Sequence, residues 1–282
     1  MNDGRPAITT DAQARALMAV LGKAEGEFIA SLTTALWWVV RAGDRNYHAR
    51  NGSAFFLDAG QGVFGVTANH VIEEWRNDRQ SKRVVALQLG GIPFDPEGRH
   101  AIIAEHRGID IATFRITTDE VRAIGKTTLT GSQHVWPPPP PQQDKGVYYA
   151  GFPGVEKQWL SPREVSFGLA PGGGVANSVS DADVSSLLER EHIIPVLGGG
   201  LPPENFDFRR ISGGPMLYVV EGVLRSWALA GVIYEGPSTA DDPNEAIAGL
   251  EVIRARRAHF INPDGTLDVA RWDGIQSPSG RR

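Results

Sequence analysis

Cysteine is absent from the 282-residue sequence. Its absence excludes disulfide bonds, a thiol nucleophile and thiolate metal sites. The histidines and carboxylates show no spacing that is typical of a metal site. The sequence therefore predicts no metal, and any covalent chemistry must use a group other than a thiol.

The sequence also lacks a surplus of positive charge and a long apolar run. The formal net charge is -5 and the pI is about 5.8, which gives no support for a nucleic-acid-binding surface. The longest apolar candidate, FIASLTTALWWVV at 28–40, contains polar residues and is shorter than the ~18 residues of a membrane span. The N-terminal MNDGRPAITTDAQ has no basic start followed by an apolar segment, so we expect no secretory signal. A cytoplasmic location is expected, although a processed mature form would look the same.

The remaining composition is that of a folded protein with a substantial core. Hydrophobic residues make up 41% and charged residues 22%, which is ordinary for one large or two small domains. Residues 10–32 are predicted to form a helix, because Thr10 and Gln13 resemble a capping box. Its apolar positions recur at spacings of three and four residues, at Leu17, Leu21, Ala24, Phe28 and Leu32. We expect this apolar stripe to pack against the rest of the fold.

Strand-like sequence begins near residue 35 and is interrupted once. The interruption is GSQHVWPPPPPQQDK at 131–145, whose consecutive prolines cannot join a ladder and favour an extended connector. Two β-rich halves of similar length suggest two barrels or sandwiches packed side by side. Runs typical of strands lie before the interruption, in ALWWVVR, GSAFFLD, VFGVTAN, RVVALQL, HAIIAEH and DIATFRI, and after it, in GVYYAGF, EVSFGLA, HIIPVL, MLYVV, SWALAGVIY and GLEVIRA.

The predicted fold is all-β with minor helices, in five parts. The parts are an N-terminal helical extension at 1–34, a first β-barrel at 35–133, a proline-rich connector at 134–145, a second β-barrel at 146–262 and a C-terminal tail at 263–282.

Two segments of the second half, 170–186 and 198–204, are rich in glycine and polar residues. We interpret them as surface connections or as loops that shape access to a site.

The stretch RRISGGPM, residues 209–216, places a serine before two glycines and a proline, and an apolar run follows at once. A hydroxyl on such a turn is suited to nucleophilic attack, because absent side chains let a substrate backbone come close. A nucleophilic Ser212 needs a base and a group that orients the base. His70 ends an apolar stretch at a strand-to-helix transition, and Asp110 enters an apolar strand where a carboxylate requires partners. Each residue alone also has a structural interpretation, so the hypothesis depends on their occurring together.

Taken in order, these motifs resemble the trypsin-like serine peptidases with two packed six-stranded-type barrels, the chymotrypsin-like fold. The resemblance is to the cysteine-free bacterial-type branch and covers roughly residues 35–260. It implies that the histidine and the acid come from the first barrel and the serine from the second. The matching pieces are GSAFFLD, VTANHVI, IDIATFRI, GFPG at 151–154, SGGPM and ALAGVIYEG.

The resemblance implies a catalytic triad. Ser212 would attack the scissile carbonyl carbon, His70 would accept and return the proton, and Asp110 would hold the other imidazole nitrogen. The substrate would be a protein or peptide, bound in the cleft between the barrels as an added strand. No metal or organic cofactor is needed for this chemistry.

The sequence departs from the family at two positions before the serine. Ile211 stands where many animal members have an aspartate that pairs with a newly cut N-terminus, so that activation route is absent here. Arg210 stands where glycine is usual, and the backbone N–H groups of Arg210 and Ser212 are the expected oxyanion hole. A residue with a Cβ there pays of order 1 kcal/mol for positive φ. We therefore hypothesise that the resting hole is collapsed and that Arg210→Gly speeds cleavage.

By resemblance, the pocket for the substrate side chain before the cut is bounded by residues 206–209 and by Tyr234, Glu235 and Gly236. Phe206 brings no charge to its floor, which favours an apolar or small substrate residue. A Glu235 side chain that points inward would reverse this preference.

The sequence leaves three interpretations of function open. The first is an active serine endopeptidase. The second is a catalytically silent protease-fold module that binds a peptide or a partner in the same cleft. The third is an enzyme held inactive until a partner protein or an N-terminal segment rearranges it.

Overall fold

We describe a computed structural model of the chain. It covers residues 11–41, 47–81, 84–130, 136–154, 157–161, 164–187, 210–221, 226–236 and 252–277, and for residues 11–21 it covers the backbone alone.

Helix α1, Asp11–Leu32, confirms the helix expected over residues 10–32. Ile29 and Leu32 are buried, and the Phe28 ring stacks on Trp227 with ring centroids 5.3 Å apart. The end of the apolar stripe therefore packs against the second half of the molecule. This packing stabilises the helix, because a helix of this length on its own would be only marginally stable in water. Thr10 and the side chains of Leu17 and Leu21 lie outside the described residues.

The first half of the chain forms one sheet of eight strands, crossed by helices α2, Asn69–Gln80, and α3, Thr118–Ala123. The sheet runs in the order β5-β4-β1-β2-β3-β7-β6, and β8 adds to β2 in parallel. Its strands are β1 Thr33–Arg41, β2 Tyr47–Asp58, β3 Val63–Thr67, β4 Val84–Leu89, β5 Ile92–Pro93, β6 Ile102–His106, β7 Ile111–Arg115 and β8 Leu129–Thr130.

This first sheet differs from a closed six-stranded barrel. Its path ends at β5 and β6, and no ladder joins those two strands within the described residues. Residues between them turn instead, with the N–H of His100 bonded to the carbonyl of Asp95 at 2.7 Å. Pro93 and Pro96 have no N–H to donate, and the contact described across the gap is a single backbone bond from the Ile102 N–H to Pro96 O at 3.3 Å.

The second half forms a closed barrel of six strands in the order β12-β13-β16-β15-β14-β9, which confirms the second predicted barrel. Strands β10 and β11, which lie between β9 and β12 in the sequence, form a separate two-stranded hairpin. The strands are β9 Gly146–Gly151, β10 Lys157–Ser161, β11 Glu164–Phe167, β12 Ala170–Val179, β13 Asp183–Leu187, β14 Pro215–Val220, β15 Ser226–Glu235 and β16 Val252–Arg257.

The interpretation of residues 170–186 as a loop is wrong, because they form β12 and most of β13. Close packing explains the glycines. A Cβ on Gly172 would lie 2.5 Å from the Tyr149 ring, and one on Gly174 would lie 2.6 Å from Ser186 Oγ and 2.8 Å from Leu187 O. These glycines let neighbouring strands approach, and they hide the alternation of apolar residues that marks a strand.

The proline-rich connector lies against the second half and its C-terminal extension. Trp136 Nε1 donates to Ile261 O at 2.7 Å, and the Tyr218 hydroxyl donates to Pro139 O at 2.5 Å. Residues 136–145 contain no helix or strand. Two side chains thus fix the segment that joins the halves.

The segment predicted as a C-terminal tail returns to the first half and contains helix α4, Val269–Gln276. Thr113 Oγ1 of β7 donates to Gly265 O at 2.5 Å, and Trp272 packs beside Gly108. The chain end is therefore part of the packing around the turn that precedes β7.

One apolar cluster spans both halves and sets their relative position. Phe55, Leu57 and Ile111 from the first sheet are buried together with Leu217, Leu229 and Phe260 from the second half. Burying a large apolar side chain contributes about 1.5–3 kcal/mol, so this cluster makes the interface a core rather than a loose contact. Among the described residues, no helix combines the length and the apolar character needed to cross a bilayer.

Candidate active site

His70 lies at the junction of a buried strand and a helix. Strand β3 ends at Thr67, and α2 begins at Asn69. Val66 and Val71 on either side of the junction are buried, so both elements are held by the core. The His70 side chain remains 43% exposed.

Asp110 binds His70 twice. Its Oδ1 accepts the His70 backbone N–H at 2.9 Å, and its Oδ2 lies 2.8 Å from ring Nδ1. The first contact satisfies an N–H in the first turn of α2, which has no partner within the helix. The second requires the proton on Nδ1, since a carboxylate only accepts, and leaves Nε2 free as a base.

Asp110 occupies the turn immediately before β7 rather than the strand itself. Its φ is 57°, in the left-handed region, and its N–H donates to His106 O at 2.8 Å. Aspartate tolerates this conformation better than most residues, although it still costs about 1–2 kcal/mol. The surrounding contacts must therefore hold the turn in place.

The pKa of His70 is raised above its usual value. Burial acts in the opposite direction, but the hydrogen bond and charge of Asp110, together with the charges of Glu74 and Glu73, outweigh it. The protonated imidazole is thus stabilised, which is the state that a general base reaches after it accepts a proton.

Ser212 lies on a tight turn between the two halves. Its carbonyl accepts the N–H of Ser53 in β2 at 2.8 Å, and the N–H of Gly213 donates to Ile233 O in β15 at 2.7 Å. Backbone groups of both halves thus hold the turn beside the end of β3. That end, at Thr67, is close in the chain to His70.

The two glycines after Ser212 are required by the protein's own backbone. Gly213 has φ 89°, and a Cβ there would lie 2.0 Å from Ser53 O and 2.4 Å from Thr67 Oγ1. A Cβ on Gly214 would lie 1.9 Å from Ala150 O. Gly213 is therefore required where the two halves meet, and Gly214 where the turn packs on β9 of its own half. This explanation differs from the expected approach of a substrate.

The Ser212 hydroxyl bonds to a backbone carbonyl of β15. Ser212 is 7% exposed, and its Oγ donates to Tyr234 O at 3.2 Å. Among the described hydrogen bonds, none joins Ser212 Oγ to the His70 ring. The structure thus pairs His70 with Asp110 and brings the serine turn to the same junction. In the described part of the chain, the serine and histidine side chains each bond to another group and not to each other.

Arg210 has the backbone conformation expected of a glycine at its position, with φ 82°. Its N–H and that of Ser212 have no hydrogen-bond acceptor among the described residues. The side chain crosses Gly154 of the GFPG motif, where a Cβ would lie 2.4 Å from Arg210 Cδ. Its Nη1 lies 3.5 Å from Glu74 Oε1, which also accepts from Arg50 at 2.7 Å.

Of the predicted pocket residues, Tyr234 is partly buried and Glu235 is exposed. Burial and the charge of Asp183 raise the pKa of Tyr234 to about 12, against the opposing charge of Arg256. Glu235 is exposed and pairs with Arg254 at 2.7 Å, so it does not point into the protein. Gly236 ends the described part of this segment, and Phe206 and residues 198–204 lie outside the described residues.

Arg256, which is not among the residues predicted from the sequence, is buried beside the candidate site. It is 7% exposed, and its Nε donates to Ile109 O at 2.8 Å, next to Asp110. In the alternating pattern of β16, Ile253 and Ala255 face the barrel core, and Arg254 and Arg256 face the opposite side. Only the structure shows that the outer face at Arg256 is covered by the first half.

Within the described ranges, no three histidine or acidic side chains converge in a way that could hold a metal ion. One cavity of about 430 Å³ lies on the first half and is lined by Phe64, Ile103, Arg115, Glu120 and Asp264 among others. None of the candidate catalytic residues lines that cavity.

Comparisons with known proteins find similarity only among solved structures. No family model and no curated protein matches the sequence. The serine protease domain of the Sesbania mosaic virus polyprotein is 12% identical, with a TM-score of 0.37 over 80% of this chain and 88% of that chain. A structure from work on how aromatic interactions drive coupled folding and binding of the intrinsically disordered Sesbania mosaic virus VPg protein is 13% identical. Its TM-score is 0.38 over 81% of this chain and 93% of that chain. The strand order and the closed barrel define the fold of this chain.

Proposed function

We propose that this protein is a serine endopeptidase of the chymotrypsin-like type, in which Ser212, His70 and Asp110 cleave a protein or peptide through an acyl-enzyme intermediate. The doubled contact between Asp110 and His70 is the observation that supports this proposal most strongly. A carboxylate that fixes both the backbone and the ring of one histidine leaves Nε2 as the available base. Membership in the cysteine-free bacterial-type branch is part of the same proposal and rests on the sequence motifs.

The reaction has two halves. Ser212 Oγ bonds to the substrate carbonyl carbon while its proton passes to His70 Nε2, and the N–H groups of Arg210 and Ser212 stabilise the negative oxygen. The carbon–nitrogen bond then breaks, and the leaving amine takes the proton from Nε2. Water attacks the resulting ester by the same proton path in reverse and releases Ser212.

The resting hydroxyl must turn before it can react. Its hydrogen bond to Tyr234 O is long, at 3.2 Å, and a neutral hydrogen bond contributes only about 0.5–1.5 kcal/mol. A substrate strand that pairs with the end of β15 brings its own N–H to Tyr234 O. That N–H replaces the hydroxyl, which is then free to turn towards His70.

A second candidate is a protease-fold module that binds a peptide without cleaving it. In one form of this alternative, a partner protein activates the module. This candidate is supported by the bond between Ser212 Oγ and Tyr234 O. In this alternative the cleft binds an extended peptide and the serine stays bonded to the backbone. A partner that displaces the hydroxyl would convert the module into an enzyme.

Peptide-library cleavage by the purified protein and by Ser212→Ala tests the proposal. We expect cleavage by the parent, none by Ser212→Ala, and equal circular dichroism spectra for both. Ser277→Ala is the matched control, because its hydroxyl bonds Asp273 O on the exposed helix α4, and it should cleave like the parent. A folded parent that binds peptides without cutting them would support the module instead.

A further inference from the structure

Arg256 of β16 uses its whole guanidinium group inside the protein. Nε donates to Ile109 O at 2.8 Å, Nη2 donates to Gly108 O at 3.3 Å, and Nη1 bonds Asp183 Oδ1 at 2.6 Å. The guanidinium carbon also lies over two rings, 4.7 Å from the centroid of Tyr234 and 4.5 Å from that of Trp272. Each nitrogen therefore has an acceptor, and the cation lies between two aromatic side chains.

The carbonyls that Arg256 binds belong to the two residues directly before Asp110. Asp110 has the left-handed φ of 57°, a conformation that persists only where the surroundings enforce it. On the first half, His106 accepts the Asp110 N–H through its carbonyl and the Ile109 N–H through ring Nδ1, at 2.8 Å and 3.0 Å. Arg256 supplies the corresponding contacts from the second half.

We propose that Arg256 is a positioning residue, which holds the turn of Asp110 from the opposite half of the molecule so that one carboxylate meets both the backbone and the ring of His70. A buried cation is retained at such a place only if charge and hydrogen bonds compensate its desolvation, and Asp183 with the two carbonyls does so. Lysine cannot replace it fully, because one ammonium cannot reproduce the planar fork or the stacking on Tyr234. The same side chain links the acid to β15, where the substrate is proposed to bind.

The kinetic consequence rests on the proposed function, but the effect on His70 does not. The groups that face the His70 ring are Asp110 from the turn before β7 and Glu73 and Glu74 from α2. Loss of the Arg256 charge, acting through space alone, would raise the pKa of His70. Loss of the positioned carboxylate would lower it. The sign of the change therefore separates positioning from simple electrostatics.

The experiment measures the His70 pKa by NMR in protein labelled at histidine nitrogen, with the signal assigned by its loss in His70→Gln. We expect the pKa to fall in Arg256→Gln and to fall less in Arg256→Lys, which keeps the charge on a single donor nitrogen. Arg254→Gln, two residues earlier on the same strand and paired with exposed Glu235, is the matched control and should leave the pKa unchanged. Thermal melts show which variants are folded, and Arg256→Lys provides the measurement if Arg256→Gln does not fold.

On a cleaved peptide, Arg256→Gln should lower kcat by roughly 10- to 100-fold with a smaller change in KM, because a displaced catalytic group affects the reaction more than binding. The acid limb of the pH profile should move in the same direction as the NMR pKa. An unchanged or raised His70 pKa in a folded variant would overturn the proposal. A parent that cleaves nothing refutes the proposed function, while the NMR result still decides whether Arg256 positions Asp110.

Discussion

The two halves of the molecule thread six strands in the same order but differ in closure. In the second half the order is β14-β9-β12-β13-β16-β15, and β15 pairs with β14 to close the barrel. The corresponding path in the first half is β4-β1-β2-β3-β7-β6, and no described ladder joins its ends. The shared path is therefore compatible with both a closed and an open sheet.

Each half compensates for its edges differently. The closed barrel pairs its strands with one another, whereas the open sheet leaves edge strands that another element must cover. In the first half, α2 and the returning C-terminal segment cover the sheet, with Trp272 beside Gly108. The open half carries His70 and Asp110, and the closed half carries Ser212 and Arg256. The candidate site therefore depends on how firmly the open half is held against the closed one.

Asp110→Asn should produce the largest effect on catalysis, because it removes the carboxylate that the open half supplies to the site. Asparagine tolerates the left-handed turn and can still accept the His70 N–H, but it supplies no charge and cannot hold the catalytic tautomer. We expect kcat to fall by about 10³- to 10⁴-fold and the His70 pKa to fall as well. Single-turnover kinetics and an NMR titration check both, and a variant within a few fold of the parent would remove Asp110 from the mechanism.

Trp272→Ala and Phe28→Ala should sharpen the comparison by loosening one half each. Trp272 packs by the Asp110 turn, and Phe28 stacks on Trp227 of the closed barrel. Both rings are partly buried, so each substitution should lower the free energy of unfolding by about 1–3 kcal/mol. Amide exchange should accelerate in β6 and β7 for Trp272→Ala and in β9 and β12 for Phe28→Ala. Equal acceleration in both halves for both variants would mean that the halves unfold as one unit.

His70→Gln tests the charge balance of the site through pH. The folded pKa of His70 is raised, so its contribution to stability is fully present below the unfolded value of 6.5 and is lost as the pH rises through the folded pKa. The parent should therefore exceed His70→Gln in stability by more at about pH 5.5 than at about pH 8.5. Denaturant melts at the two pH values check this, and a difference that grows with pH would contradict it.

Arg210→Gly should have the smallest effect. The structure gives Arg210 the positive φ that glycine adopts freely, so the variant relieves strain of about 1 kcal/mol and loses a weak contact to Glu74. We expect a small gain in stability and little change in kcat/KM, because the backbone is already in the glycine-like conformation. A large rise in kcat/KM would instead support the collapsed oxyanion hole that the sequence suggested.

The sequence predicted those features that local patterns encode. His70 at a strand-to-helix junction, the helix at the N-terminus and most strands followed from apolar spacing and turn residues. Residues 170–186 were misread because Gly172 and Gly174 fit against Tyr149 and Ser186, contacts between strands that a local pattern does not contain. Arg256 was missed for a similar reason, since its partners Gly108 and Ile109 lie in the other half of the chain. The bond between Ser212 Oγ and Tyr234 O likewise depends on how β15 meets the serine turn.

The most direct test of the central claim is labelling of the folded protein with a fluorophosphonate probe, followed by mass spectrometry of the labelled peptide. The probe reacts with a serine only when a base and an oxyanion hole activate it. We expect one labelled site, Ser212, with labelling lost in Asp110→Asn and retained in Ser277→Ala. Folded protein that stays unlabelled at Ser212, or that is labelled at another residue, would contradict the assignment of Ser212 as the nucleophile.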